Sequence, residues 1–248
     1  MAKEFSRQHE VVYYECDVNG HMTIPTMIRL AIHVSETQSE ELNRGADFVH
    51  QFGVTWILTN YHIRLTALPR VCEQITITTK AEEYNKYFCY RTFWIRNEAG
   101  EELVKIQAVF ALMKIETRKL SRVTEEIIAP FESQKITQIK RFGQLEKIEA
   151  GESLPYRVRF NDIDSNHHVN NAVYFDWLLD VLGYDFLTTY VPKTITIRYD
   201  REVEYGNEIA SVVEKVYGKA DQLHTRHAIL LDDQMCCEAL IEWGKLSE

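Results

Sequence analysis

Tyr13-Tyr14-Glu15-Cys16-Asp17-Val18-Asn19-Gly20-His21-Met22 and Phe160-Asn161-Asp162-Ile163-Asp164-Ser165-Asn166-His167-His168-Val169 carry one pattern twice. Setting Asp17 on Asp164 brings Asn19 onto Asn166 and His21 onto His168, an offset of 147 from position 17 to position 164. Internal repeats decide architecture before any local assignment does. Each copy leads into helical spacing: Met27, Ile28, Ala31 and Val34 share one face in the first, and Val173, Trp177, Leu178, Val181 and Leu182 do so in the second. A β-rich run carrying Ile-Arg follows each helix, at 56–65 with Ile63-Arg64 and at 194–199 with Ile197-Arg198. The offset there is 134, from 63 to 197, so the second copy is shorter by about one loop between helix and strand.

Further strands follow in both copies. Residues 87–96 and 102–115 flank Asn97-Glu98-Ala99-Gly100, and 224–231 and 235–243 flank Asp232-Asp233-Gln234, two hairpin signals. Between the copies, 124–151 combines Pro130, mixed charge and weak periodicity, and reads as a partly helical crossing. Each copy is a strand, a long helix and several antiparallel strands, and a sheet that curls around the helix buries its apolar face. The expected architecture is a duplicated α+β fold with domains at 1–130 and 151–248 and a linker at 131–150.

Composition removes several function classes. The chain of 248 residues has 45% hydrophobic and 26% charged residues, as a globular protein with a buried core does. Its net charge of −9 argues against a nucleic-acid partner, since phosphate binding needs a basic surface. No apolar run reaches the ~18 residues of a membrane span. The segment Met1-Ala2-Lys3-Glu4-Phe5 and its sequel lack the features of a secretory or transit leader, which sets the expectation of a cytoplasmic protein. Cys16, Cys72, Cys89, Cys236 and Cys237 are an odd number without C-x-x-C spacing, which argues against a zinc site or disulfide framework and for reduced thiols. Lys114, Arg118, Lys119 and Arg122 form a basic turn that is either merely solvated or able to steer docking. A homodimer is compatible with this reading.

Asp164, Asn166 and His168 stand just before or at the start of the second helix, where a single Asp or Asn serves as an N-cap. A cap uses one polar residue, whereas 164–168 has five in a row. Acyl-transfer chemistry uses such a set. A thioester carbonyl is attacked by water or a carboxylate while its oxygen turns negative, and free N–H groups at a helix N-terminus stabilise that oxygen by ~3 kcal/mol. A carboxylate supplies the attacking group or its activation, and a histidine relays the proton.

The segment from Asp162 through Asp164-Ser165-Asn166-His167-His168-Val169-Asn170-Asn171 to Tyr174 resembles the signature of plant and bacterial fatty acyl–acyl carrier protein thioesterases. Trp56-Ile57-Leu58, Thr117-Arg118-Lys119-Leu120-Ser121-Arg122 and Tyr199-Asp200-Arg201-Glu202 resemble other landmarks of that family, so the resemblance spans nearly the whole chain. It implies two tandem hotdog domains and hydrolysis of fatty acyl–acyl carrier protein to free fatty acid and carrier, ending fatty acid synthesis. The partner would be an acyl carrier protein with its phosphopantetheine-linked acyl group, with no cofactor or metal. The family's Asp, Asn and His carry over to Asp164, Asn166 and His168, and its strand Glu carries over to Glu202. Many plant members have Cys directly after that Glu; Val203 stands there here, which leaves a carboxylate-centred mechanism.

The first copy keeps Asp17, Asn19 and His21, but alignment of its strands puts Leu68 opposite Glu202. The expectation is therefore an N-terminal domain that supplies the acyl pocket and a C-terminal domain that reacts. Two other readings stay open at this point: an acyl-CoA thioesterase, whose single-hotdog forms share the D-x-D and H-V-N-N-x-x-Y pattern, and a non-catalytic acyl-binding module. Glu202 also has a plainer reading, a surface acid paired with Arg201 or Arg198.

Overall fold

The computed structural model describes residues 2–143, 145–164, 168–218 and 222–246. The chain divides into unit 1 (Met1–Met22, Met27–Tyr61 and Thr66–Phe142) and unit 2 (Gly143–Glu248 with Thr23–Thr26 and His62–Leu65). The first half runs β1 (Glu4–Glu10), α1 (Ile24–Glu41), α2 (Ala46–His50), β2 (Val54–Leu65), β3 (Gln74–Tyr84), β4 (Phe88–Asn97) and β5 (Glu102–Lys114), then β6 (Leu120–Ser121), α3 (Glu125–Ile128) and β7 (Gln134–Lys135). The second half runs β8 (Glu152–Arg157), α4 (Val173–Asp180), α5 (Tyr184–Thr189), β9 (Tyr190–Tyr199), β10 (Glu208–Tyr217), β11 (Leu223–Leu231) and β12 (Gln234–Lys245).

The repeat in sequence is a repeat in topology. Strand order is β1-β3-β4-β5-β2 in the first half and β8-β10-β11-β12-β9 in the second. The pairs β1–β3, β3–β4 and β4–β5 are antiparallel, as are β8–β10, β10–β11, β11–β12 and β12–β9. Each half is a hotdog, a curved antiparallel sheet with a helix against it. Along β3 and β4, Ile75, Ile77, Phe93 and Ile95 are buried, and so are Met27, Ile28, Ala31 and Val34 of α1, the two faces of the first core. Full burial of each of these side chains other than Ala31 contributes about 1.5–3 kcal/mol.

Hairpin chemistry sets the register. Asp232 and Asp233 both take left-handed backbone angles (φ 49° and 60°) between the paired Leu231 and Gln234, the two-residue turn whose twist matches antiparallel strands. Asn97 closes the other turn, its side chain bonding both the N–H and the carboxylate of Glu101, with Gly100 at φ 81°.

The two helices differ more than their spacing suggests. Pro25 sits in the first turn of α1, where its missing N–H costs nothing, and the helix then runs 18 residues. The second helix stops after 8 residues. Val181 and Leu182 keep their buried positions but lie in a tightening turn, with Leu182 N–H on Leu179 O and Gly183 N–H on Asp180 O. Gly183, at φ 84°, then redirects the chain into α5.

Arg91 of β4 is buried, and its Nη1 donates to Gln38 Oε1 (2.7 Å) and Thr79 Oγ1 (3.0 Å) while its guanidinium covers the Phe131 ring. Burial lowers its pKa to about 10. The stretch expected as a linker is held along its first half. β7 pairs parallel with β3, Ile136 N–H donates to Tyr84 O, Asn85 Nδ2 to Gln138 O, and Lys140 N–H to the Tyr90 hydroxyl.

Candidate functional site

The second motif begins on a single 3-10 turn, Phe160–Asp162. Asp162 is buried and accepts the Arg159 backbone N–H (2.7 Å) and its guanidinium (2.8 Å), so it is a structural pin. Ile163 bridges Val169, and Asp164 N–H donates to His168 O at 2.9 Å. The motif is therefore not at the helix start. Asn170, Asn171 and Ala172 intervene, and Asn170 takes the Ala172 N–H on its side chain and the Val173 N–H on its carbonyl. Those two N–H groups are thus committed to Asn170 and are not aimed at a substrate oxygen. Asn166 lies outside the described residues.

Glu202 stands past the end of β9, on a loop and not on the strand. The N–H groups of Asp200 and Arg201 both donate to Cys236 O, at 2.9 and 3.1 Å, and this double anchor aims the following residue. Glu202 Oε2 lies 3.7 Å from His168 Nε2, with the two side chains 45% and 37% exposed. Arg198 pairs with Asp200 and Glu238, and Arg201 reaches Gln234. Tyr174 underlies this loop. Its ring packs on Trp177 and Tyr199, its oxygen accepts the Val203 N–H, and burial raises its pKa. Tyr199 donates its hydroxyl proton to Asn171 O (3.0 Å), fastening β9 to the segment ahead of α4.

The same frame recurs around the first motif, bond by bond. A 3-10 turn at Tyr13–Glu15 precedes it, Glu15 accepts the Val12 N–H, Cys16 bridges Met22, and Asp17 N–H donates to His21 O at 2.8 Å. Thr66 and Ala67 both donate to Leu103 O, as Asp200 and Arg201 do to Cys236 O, so the next residue, Leu68, matches Glu202. The opposition read from strand alignment is thus reproduced by backbone bonding. In the first copy Asp17 Oδ1 accepts the N–H groups of Asn19 and His21, and His21 is buried, whereas the side chain of His168 is partly exposed. Of the two copies, only the second brings a carboxylate to its histidine from the neighbouring loop.

The structure is a doubled hotdog in which a histidine and a glutamate face each other in the second copy. Two family models match it: the acyl-ACP thioesterase N-terminal domain over residues 2–131 and the C-terminal domain over residues 145–245. The chain belongs to the acyl-ACP thioesterase family. A crystal structure from Lactobacillus plantarum, described as an oleoyl thioesterase, is 39% identical over 100% of this chain and 98% of that one, with TM-score 0.96. The 12:0-ACP thioesterase from Umbellularia californica shares the fold at 19% identity, covering 98% of each chain at TM-score 0.84. The chloroplastic oleoyl-acyl carrier protein thioesterase 2 of Arabidopsis thaliana is 24% identical over 80% of this chain and 59% of its own length. The chain thus spans a little over half the length of such curated relatives. No helix among the described residues is long and apolar enough to cross a membrane.

Proposed function

We propose that this chain hydrolyses fatty acyl thioesters carried on acyl carrier protein, releasing free fatty acid and carrier and so ending fatty acid synthesis. Membership of the family supports the reading, as does its likeness to a protein described as an oleoyl thioesterase. The observation that carries it is the approach of Glu202 to His168 at 3.7 Å, beside the loop that presents Asp164. In this reading a carboxylate attacks the thioester carbonyl or activates the water that does so. When water attacks, its proton passes through His168 to the departing thiolate as the C–S bond breaks; when a carboxylate attacks, the thiolate leaves an acyl–enzyme anhydride that water then hydrolyses to the free fatty acid. Glu202 orients that imidazole, and Asn166, assigned from its motif position, fixes the attacking group. Residues 151–248 hold the reaction centre, and residues 1–130, with the apolar face of α1, take the hydrocarbon chain.

The test is turnover of one acyl chain borne on carrier protein and on CoA. Carrier-dependent release of free fatty acid is expected, with kcat/KM on CoA lower by at least about tenfold, the equivalent of ~1.4 kcal/mol. Equal turnover would make the chain a general acyl thioesterase, and binding without release would make it an acyl-binding module. Oxygen-18 from water entering the enzyme carboxylate after one turnover would mark direct attack.

A further inference from the structure

The backbone match between the two copies isolates one position that the reaction does not explain. In the second copy, Gly206 N–H donates to Val158 O, Val158 N–H donates to Asn207 O, and Gly206 takes φ 82°. The first copy has the same bonds, Cys72 N–H to Val11 O and Val11 N–H to Glu73 O, so Cys72 occupies the place of Gly206. It does so at φ 67°, in a backbone region that glycine enters freely and a residue with a Cβ enters only under strain. Its side chain is exposed, so core packing does not compensate for the strain.

A second cysteine lies across the same backbone. Cys72 N–H is bonded to Val11 O at 2.8 Å, and the Cys16 thiol points at the next carbonyl, Val12 O, at 3.7 Å. The segments bearing them are laced together on both sides, with Met22 N–H on Pro69 O and Val71 N–H on Gly20 O. The matching positions in the second copy are Ile163 and Gly206, which carry no thiol. Both cysteines are free, Cys16 half-buried and Cys72 exposed, whereas Cys236 and Cys237 are buried.

We propose that Cys16 and Cys72 are a modification site, a thiol pair that closes to a reversible disulfide and staples the 13–22 loop to the turn between β2 and β3. The oxidant is a small disulfide such as oxidised glutathione. The exposed Cys72 thiolate attacks it, forming a mixed disulfide and expelling one glutathione thiolate. Cys16, as thiolate, then attacks the Cys72 sulfur and expels the second, so two protein thiols and one disulfide become one protein disulfide and two glutathione thiols. Burial, Asp17, Glu15 and the Cys72 sulfur itself push the Cys16 thiol up, so the second, intramolecular step is the slower one and quickens as pH rises.

The experiment is peptide mapping of the full chain after equilibration with reduced and oxidised glutathione, beside Cys16→Ser and Cys72→Gly. The expected result is a peptide containing Cys16 joined to one containing Cys72, lighter by two hydrogens, absent from both variants and reversed by dithiothreitol. Closing a ring of this size should raise Tm by roughly 5–10 °C. Glutathione retained on Cys72 with Cys16 still free, or a crosslink between two molecules, would overturn the proposal. Cys72→Gly reproduces the residue that the second copy already uses, so loss of the crosslink there cannot be blamed on misfolding.

Discussion

Replacing Glu202 by Gln separates what the His168 pair contributes to the reaction from what it contributes to the fold. At 3.7 Å, with both side chains more than a third exposed, the Coulomb energy takes its water-like value of about 1 kcal/mol, and salt lowers it further. The amide keeps the shape of the carboxylate, and the loop is held by the bonds of Asp200 and Arg201 to Cys236 O, which do not involve the Glu202 side chain. Urea unfolding should therefore shift by no more than about 1 kcal/mol. A charge that orients or drives a catalytic imidazole acts in the transition state, where its loss typically lowers the rate by 10²–10⁴-fold, roughly 3–5 kcal/mol. The assay is steady-state thiol release from acyl–acyl carrier protein, with Glu204→Gln, two positions along the same loop, as the control that keeps the parent rate. A folded Glu202→Gln protein that turns over at the parent rate would refute the assignment of the site.

Asp164→Ala should abolish turnover while Asp17→Ala keeps most of it, and comparable losses in kcat would end the division of labour between the copies. Buried His227, whose pKa burial lowers to about 3, gives a pH signature. The unfolded chain takes up that proton near 6.5 and the folded protein does not until about 3, so stability is lost as pH falls through 6.5. Between pH 7 and 5 the loss is about 2 kcal/mol, and His227→Leu should flatten that part of the curve in denaturant titrations. Under reducing conditions Cys72→Gly should raise stability by about 1 kcal/mol by relieving the left-handed residue, and a fall in the urea midpoint would show that no strain is held there.

The repeat was fully legible. Its offset of 147 in sequence reappears in the 3-10 turns at Tyr13–Glu15 and Phe160–Asp162, the bridges of Cys16 and Ile163, and the loop bonds of Asp17 and Asp164. The correspondence of Leu68 with Glu202 was legible too, because strand registers fix it and the paired N–H groups preserve it. What periodicity could not reveal was where regular structure stops. Val181 and Leu182 continue the helical pattern of burial, yet a single glycine at positive φ redirects the chain next to them. The approach of Asp164 to His168 depends on the bridge between Ile163 and Val169, a pairing whose backbone bonds no side-chain pattern announces. Glu202 falls just beyond β9 for a similar reason: the carbonyl that ends the strand's bonding belongs to Cys236, 34 positions downstream.

The double anchor that aims Glu202 also has a bearing on ancestry and engineering. Because Thr66 and Ala67 hold their loop by main-chain atoms alone, mutation at position 68 can exchange one side chain for another without disturbing its aim. In a duplicated chain of this kind a loop residue can change in one copy while the scaffold around it stays intact. Position 68 is therefore the natural first place to write in an acid, together with whatever substitutions would draw His21 out to meet it.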